Sequence, residues 1–244
     1  MDGLAVGWGL VDDTASKSAI AAAVEQGITH FDTAQAYGCG QPETLLGDAL
    51  KAHPDVAIAT KIGLGIDTQS KQLTGPILDP ESIKQSIDAS RKRLGRDRID
   101  MVLHHNNELP IADAEPVFDM LATLYDKGII GGYGWSTDIP KSAPAFSDHR
   151  DFTAIEHAMN VLKPADDMVS LLEEKNTLSL IRSPLAMGVL GGQYDAKIQF
   201  SRDEIRGSNP GWQDYFKDGR ITDTYLTQLN RLRETLTSNG RSLA

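Results

Sequence analysis

The sequence has only one cysteine, Cys39, and no long apolar stretch. A single thiol excludes a disulfide within the chain and a metal centre built from several cysteines, and it fits a reducing compartment. The apolar stretches fall far short of the roughly 20 residues of a membrane-spanning helix, and the first ten residues lack the pattern of a secretion signal. We therefore expect a cytoplasmic protein with no membrane partner.

Basic residues are also scarce, because 24 Lys and Arg stand against 34 Asp and Glu and leave a net charge of −10. This balance disfavours general binding to nucleic acids or anionic membranes, so an anionic ligand needs a local site. Hydrophobic residues make up 40% of the 244 residues, which is enough for a large core. We predict a single domain over residues 1–244.

Short apolar segments of strand length alternate with longer segments of helical periodicity along the chain. The seven predicted strands are Leu4–Gly9, Ile28–Thr33, Val56–Lys61, Ile99–His104, Gly131–Ser136, Thr153–His157 and Thr177–Ser183. The predicted helices are Thr14–Glu25, Glu43–His53, Pro80–Leu94, Ala114–Lys127, Lys141–Phe146, Ala165–Lys175 and Asp223–Ser238. Two segments are predicted to be irregular, Leu64–Leu78 and Gly191–Arg220.

Seven parallel β/α units fit either an open doubly wound sheet or a closed barrel. A doubly wound sheet that binds a dinucleotide carries a glycine-rich turn after its first strand, and Gly7-Trp8-Gly9 does not match that pattern. The sequence therefore favours an α/β fold of the (β/α)8 barrel type. In such barrels the reactive residues lie where the strands end, in the loops that lead to the helices.

Polar residues lie at the ends of the predicted strands. They are Asp32, Lys61, His104 or His105, Ser136, Glu156 or His157, and Ser183. Tyr37 follows Asp32 by five residues and can fold over the same end of a barrel. The sequence thus predicts one site that contains an acid, a base and an imidazole, and we predict no metal there.

Several motifs at these positions resemble the aldo-keto reductase family. They are His30-Phe31-Asp32-Thr33-Ala34 with Tyr37-Gly38, Ile58-Ala59-Thr60-Lys61, Ile99 to Asn106, and Ser183 to Leu190. The resemblance runs from about Leu4 to the end of the chain. It implies a barrel enzyme that uses NADPH, or alternatively NADH, to reduce a carbonyl compound reversibly to an alcohol.

The resemblance implies a catalytic tetrad of Asp32, Tyr37, Lys61 and His105. Hydride addition to a carbonyl carbon leaves negative charge on the oxygen, so a proton donor must already point there. Tyr37 is the expected donor, with Lys61 as the positive charge that favours the tyrosinate. Asp32 is expected to keep Lys61 protonated, because burial alone would favour the neutral amine.

The expected histidine is His105, which orients the substrate oxygen. Adjacent strand residues face opposite ways, so only one of His104 and His105 points into the barrel mouth. In the family the histidine follows an aspartate by five positions, as His105 follows Asp100. The alternative role for His104 is packing.

The resemblance also implies contacts to the cofactor. Ser136 and Thr137 match the strand end that holds the nicotinamide carboxamide, where the family has Ser and Asn, and Glu156 stands where the family usually has Gln. The loop over the pyrophosphate is expected to use Ser183, Leu185, Gly188 and Leu190. Two tryptophans, Trp8 and Trp135, are predicted either to line the substrate pocket or to pack in the core.

The family's barrel has eight strands, whereas this sequence predicts seven and no eighth β/α unit. We therefore expect an incomplete barrel that lacks the loop for the adenosine 2′-phosphate, self-associates through its open edges and reduces its substrate poorly. Two alternatives remain: a non-catalytic or inactive reductase-like protein that binds a nucleotide or a partner, and a barrel isomerase or lyase. The latter would use the Lys61 amine as its nucleophile, which requires a lysine without a close carboxylate.

Overall fold

The computed structural model describes residues 11–70, 72–149, 151–202, 204–209 and 211–243. The predicted first strand, Leu4–Gly9, and Trp8 within it lie outside the described residues. The other six predicted parallel strands are all present, with ends that differ from the predicted ends by up to two residues.

Within the described residues the chain alternates strands with helices, as the sequence predicts. The strands are β1 His30–Asp32, β2 Ala57–Ile62, β3 Leu64–Asp67, β4 Gln72–Pro76, β5 Met101–His104, β6 Tyr133–Ser136, β7 Phe152–Ala158, β8 Leu178–Arg182, β9 Phe216–Lys217 and β10 Arg220–Ile221. The α-helices are α1 Asp13–Glu25, α2 Gln41–Ala49, α3 Pro80–Leu94, α4 Ile111–Asp126, α5 Asp166–Glu174 and α6 Asp223–Ser238. Three 3₁₀ helices cover Tyr37–Gly40, Ala143–Phe146 and Ala186–Gly191.

Six of the strands form one sheet in the order β1-β2-β5-β6-β7-β8. The pairs from β1 to β7 are parallel, so that Phe31 lies beside Ile58 and Thr60 beside Val102. The order follows the chain without the reversal that marks a doubly wound sheet. The predicted α/β fold of incomplete barrel type is therefore confirmed.

The two ends of α3 show how the sequence determines where a helix begins and ends. The Asp79 side chain accepts a hydrogen bond from the amide of Ser82 at 2.9 Å, and Pro80 occupies the first turn, where its missing N–H is not needed. Gly95 adopts φ 62° and ends the helix in the left-handed region. The predicted range Pro80–Leu94 is the observed one.

Both segments predicted to be irregular contain short antiparallel pairs. β3 and β4 form a hairpin within Leu64–Leu78, and the Asp67 carboxylate fixes its turn by accepting from the amide of Gln69 at 2.8 Å. β9 and β10 pair near the end of Gly191–Arg220. The prediction missed these pairs because they are only two to five residues long, too short for periodicity to reveal.

The described residues form two compact units. The first comprises described residues of 11–157 and 167–180, and the second comprises described residues of 158–166 and 181–243. The core of the first unit lies between the parallel sheet and its helices and includes Ile58, Val102, Phe118 and Trp135. The core of the second unit is built from Ala186, Val189, Leu190, Tyr215, Phe216, Ile221, Tyr225 and Leu229.

Candidate active site around Lys61

The Lys61 side chain is fully buried in the first unit, near the end of β2. Its ammonium forms an ion pair with Asp32 at the end of β1 and another with Glu156 on β7, where Nζ lies 3.1 Å from Oε2. Nζ also donates a hydrogen bond to the carbonyl oxygen of Thr33 at 3.1 Å. One buried cation therefore has two carboxylate partners and a carbonyl partner.

The charges around Lys61 decide its protonation. Burial favours the neutral amine, but the negative charges available at Tyr37, Asp32 and Glu156 outweigh burial and raise the pKa of Lys61 above its ordinary value. Lys61 is therefore an ammonium at neutral pH. This state excludes the alternative in which a neutral Lys61 amine attacks the substrate, because that role needs a lysine without a close carboxylate.

Tyr37 lies above this ion pair, in the 3₁₀ turn that follows β1. Its ring centroid is 5.5 Å from Lys61 Nζ and 5.4 Å from the ring of His105, which it meets edge-on at 79°. The Tyr37 residue is 39% exposed, so a small molecule can reach it. The structure thus brings together the four residues Asp32, Tyr37, Lys61 and His105.

The turn that carries Tyr37 depends on glycine. Gly40 adopts φ 87°, and a Cβ at this position would lie 2.6 Å from Nε of Arg93. Only glycine provides both the left-handed backbone and this close approach to the α3 side chain. The backbone of the turn is therefore held against α3.

Glu43 supports the same turn and was missed by the sequence analysis. Its fully buried carboxylate accepts hydrogen bonds from Thr60 Oγ1 and from Arg93 Nε, each at 2.6 Å. These bonds join α2 to β2 and to α3. A signal was present, because Glu43 lies three and seven residues before Leu46 and Leu50, on the apolar face of α2.

The two histidines have different environments. His104 is fully buried against the rings of Phe118 and Trp135, and neither ring nitrogen has a hydrogen-bond partner. Burial lowers the pKa of His104 to about 4, so the ring is neutral at neutral pH. His105 instead faces Tyr37. The geometry thus favours His105 over His104 as the histidine of the site.

The strand ends of β6 and β7 place Ser136 beside Glu156. The Ser136 hydroxyl donates to Glu156 Oε1 at 3.4 Å, and both residues are nearly buried. The neighbouring His157 points the other way, with Nε2 2.8 Å from Ser179 Oγ, so Glu156 is the residue of this pair that joins the site.

Two of the residues predicted to contact ligands, Thr137 and Trp135, make hydrogen bonds within the protein. The buried Thr137 hydroxyl donates to the carbonyl of Asn107 at 2.9 Å and accepts from the amide of Ile139 at 3.2 Å, so both interactions are made within the protein. Trp135 is fully buried, and its indole N–H donates to the carbonyl of Asn106 at 2.9 Å. Trp135 was predicted either to line the substrate pocket or to pack in the core. In the structure it packs in the core, because its side chain is fully buried.

The predicted pyrophosphate loop belongs to the second unit. Ser183 has φ 56°, and its carbonyl accepts from Asn160 Nδ2 at 3.0 Å. Leu185 is 52% exposed, Gly188 has φ 96° beside Tyr194, and Leu190 packs in the core of this unit. The amides of Gly188 and Leu190 both donate to the carbonyl of Leu185. These two amides are thus already used within the turn.

Two kinds of feature are absent from the part of the chain that the structure describes. There, none of the helices has the length and apolarity needed to cross a membrane. Within the same residues, no group of three or more His, Cys, Asp or Glu is arranged to hold a metal ion.

Residues 3–244 match the sequence profile of the aldo/keto reductase family. The chain is similar to the aldo-keto reductase YhdN of Bacillus subtilis, with 29% identity over 231 residues that cover 92% of this chain and 67% of that protein. An oxidoreductase of Mycobacterium tuberculosis is 30% identical over 217 residues, which cover 83% of this chain and 61% of that protein. The chain therefore spans about two thirds or less of the length of these relatives.

A solved structure has the same fold. The glycerol dehydrogenase of Gluconobacter oxydans superposes with a TM-score of 0.76 at 26% sequence identity, over 97% of this chain and 72% of that one. The match covers nearly the whole chain and agrees with the family profile, the parallel sheet and the polar residues at its strand ends. The chain belongs to the aldo/keto reductase family.

Proposed function

We propose that the protein reversibly reduces an aldehyde or ketone to an alcohol, with Tyr37 as the proton donor. The observation that carries the proposal is the buried Lys61 ammonium, which lies between two carboxylates and 5.5 Å from the Tyr37 ring centroid. Such an arrangement provides positive charge where a tyrosinate forms, and it excludes water from the lysine. Membership of the family supports the same reaction type.

Each of the four residues of the site has its own role in the proposed reaction. The substrate carbonyl oxygen accepts a hydrogen bond from the Tyr37 hydroxyl, and His105 beside it fixes the direction of approach. As negative charge develops on that oxygen, the Tyr37 hydroxyl gives up its proton and the Lys61 ammonium stabilises the resulting tyrosinate. Asp32 keeps Lys61 protonated and in place through its ion pair.

The hydride is supplied by a nicotinamide cofactor, NADPH or alternatively NADH. The groups at the ends of β6 and β7 suit its carboxamide, because the Ser136 hydroxyl, which donates to Glu156 Oε1 in the structure, can rotate to donate to the amide oxygen, and Glu156 offers a carboxylate acceptor to the amide N–H. In the second unit, Ser183, Leu185, Gly188 and Leu190 are proposed to contact or shape the site of the pyrophosphate. Thr137 is proposed to shape the same carboxamide site, with its hydroxyl held by bonds to the Asn107 carbonyl and the Ile139 amide.

The experiment is a screen of aldehydes and ketones with NADPH and with NADH, on the chain and on Tyr37→Phe. The chain is expected to turn over at least one carbonyl class, and Tyr37→Phe is expected to lower turnover about 10²–10⁴-fold, because it loses a positioned acid. Fluorescence titration of the cofactor should give similar dissociation constants for both proteins, since the hydroxyl is proposed to act on the substrate.

The outcomes separate the candidate functions. Cofactor binding without turnover of any carbonyl would favour the alternative of a non-catalytic nucleotide-binding protein. Turnover that persists in Tyr37→Phe would refute Tyr37 as the proton donor. Sedimentation of the same samples tests the expected self-association, which predicts species larger than a monomer.

A further inference from the structure

The charge balance around Lys61 differs from the balance that the sequence motifs led us to expect. A single carboxylate, Asp32, was expected as the partner of the lysine, with the residue at position 156 contacting the cofactor. Besides that proposed contact, Glu156, which is 3% exposed, forms an ion pair with Lys61, with Oε2 at 3.1 Å from Nζ. Glu156 lies on β7 and Lys61 on β2, and these strands are not neighbours in the sheet.

The cluster therefore contains one cation and two anions before any reaction takes place. A tyrosinate at Tyr37 adds a third negative group around the same ammonium. With a neutral side chain at position 156, the lysine would have a single carboxylate partner, and its positive charge would act more fully on Tyr37.

We propose that Glu156 is a positioning residue that weakens the effect of Lys61 on Tyr37 and so keeps the Tyr37 hydroxyl protonated to higher pH. Carbonyl reduction needs this protonated hydroxyl, whereas alcohol oxidation needs the tyrosinate as a base. Glu156 therefore shifts the pH profiles of both directions, the fall of reduction and the rise of oxidation, to more alkaline pH. This effect on the profiles rests on the proposed function, whereas the effect on the hydroxyl itself does not.

Among the described residues, charged and titratable groups contact both Tyr37 and Lys61. Lys61 and His105 face Tyr37, and Asp32 and Glu156 face Lys61. Asp32 is partly open to solvent, with a side chain 40% exposed, whereas the Glu156 side chain is only 4% exposed. A charge shielded from water acts more strongly on its neighbours, and Glu156 is the better shielded of the two carboxylates, so its removal should be detectable at Tyr37. Burial lowers the pKa of Lys61, but the charges of Tyr37, Asp32 and Glu156, in that order, raise it above its ordinary value.

The test is a spectroscopic titration of tyrosinate in the protein without cofactor or substrate. The sequence has six tyrosines, so the signal of Tyr37 is obtained as the difference between each protein and the same protein with Tyr37→Phe. Removing a negative charge that shares the Lys61 ammonium with Tyr37 should lower the apparent pKa of Tyr37 in Glu156→Gln by on the order of one unit. That change corresponds to about a tenfold larger tyrosinate fraction at a pH below the transition.

Two control variants make the result specific to the Glu156 charge. Glu43→Gln neutralises another buried glutamate of the same unit, one that is bonded to Arg93 and Thr60. Because Glu43 is not bonded to Lys61, this variant should move the titration of Tyr37 much less than Glu156→Gln does. Glu156→Asp keeps the charge and should shift the apparent pKa by a few tenths of a unit at most. If near-UV circular dichroism shows that Glu156→Gln fails to fold, Glu156→Met removes the same charge at a similar volume and takes its place in the titration, with the same expected fall.

An unchanged apparent pKa in folded Glu156→Gln would overturn the inference. So would an equal shift in Glu43→Gln, or a full one-unit fall in Glu156→Asp, because either would show that packing and not the Glu156 charge sets the titration. The proposed function fails separately, if the titration behaves as expected but no carbonyl is reduced. When both hold, the pH optimum of alcohol oxidation should fall by about the same amount in Glu156→Gln.

Discussion

Replacing Lys61 by methionine tests how much the buried ion cluster contributes to the fold. Methionine has nearly the length of the lysine stem but no charge, so the substitution removes the ammonium and leaves little empty volume. Asp32 and Glu156 then face each other without their cation. Glu156 is almost fully buried, so its carboxylate cannot be rehydrated without opening the site.

The expected cost follows from this burial. Removing one partner of a buried pair costs roughly 3–5 kcal/mol, because the other charge stays buried without compensation. We expect Lys61→Met to lower the free energy of unfolding by about this amount at pH 7, measured by urea unfolding. Because the pKa of Lys61 is raised, its contribution is present at neutral pH and, on the alkaline side, is lost only above pH 10.5, as the pH rises through the higher value in the folded protein.

A double variant separates the effect of the uncompensated buried charge from the effect of altered packing on stability. In Lys61→Met with Glu156→Gln the uncompensated buried carboxylate is gone, so we expect about half of the lost stability to return. Lowering the pH in the single variant should have a similar effect, because it protonates Glu156. A Lys61→Met protein within 1 kcal/mol of the parent, or one that gains nothing from Glu156→Gln, would refute the account of the cluster.

Further predictions concern the two buried groups next to the site. Because burial holds the pKa of His104 at about 4 against an ordinary value of 6.5, its contribution to stability is full above pH 6.5 and falls by about 3 kcal/mol as the pH reaches 4. Urea unfolding at several pH values should show this loss in the parent, and His104→Leu should remove most of it; an equal loss in both would contradict the assignment. Glu43→Gln should lower the free energy of unfolding by roughly 1–3 kcal/mol, because the charge-assisted bond to Arg93 is lost. Glu81→Gln, in the first turn of α3, is the control and should stay within about 0.5 kcal/mol of the parent.

The sequence could place Asp32, Lys61 and Ser136 near one another because parallel strands end at the same edge of a sheet. It could also favour His105 over His104, since neighbouring strand residues face opposite sides. These inferences use only spacing and the direction of strands. They required no knowledge of how far a side chain reaches.

The sequence could not predict which groups form ion pairs. Glu156 contacts Lys61 between strands that are not neighbours, so no local spacing encodes the pair. The buried role of Glu43 likewise depends on Arg93, which follows 50 residues later. The hydroxyl of Thr137 was predicted to meet a ligand but bonds to the Asn107 carbonyl, because a loop 30 residues earlier lies within reach.

The central claim is that Tyr37, beside the Lys61 ammonium, donates the proton in carbonyl reduction. The most direct measurement is the rate of cofactor oxidation at saturating NADPH, with the best carbonyl substrate of the screen, for the parent chain and for Tyr37→Phe over a range of pH. The account predicts that the parent rate falls as Tyr37 loses its proton at alkaline pH, and that Tyr37→Phe is about 10²–10⁴-fold slower with no such fall. A Tyr37→Phe protein with the parent's rate and the parent's pH profile would contradict it.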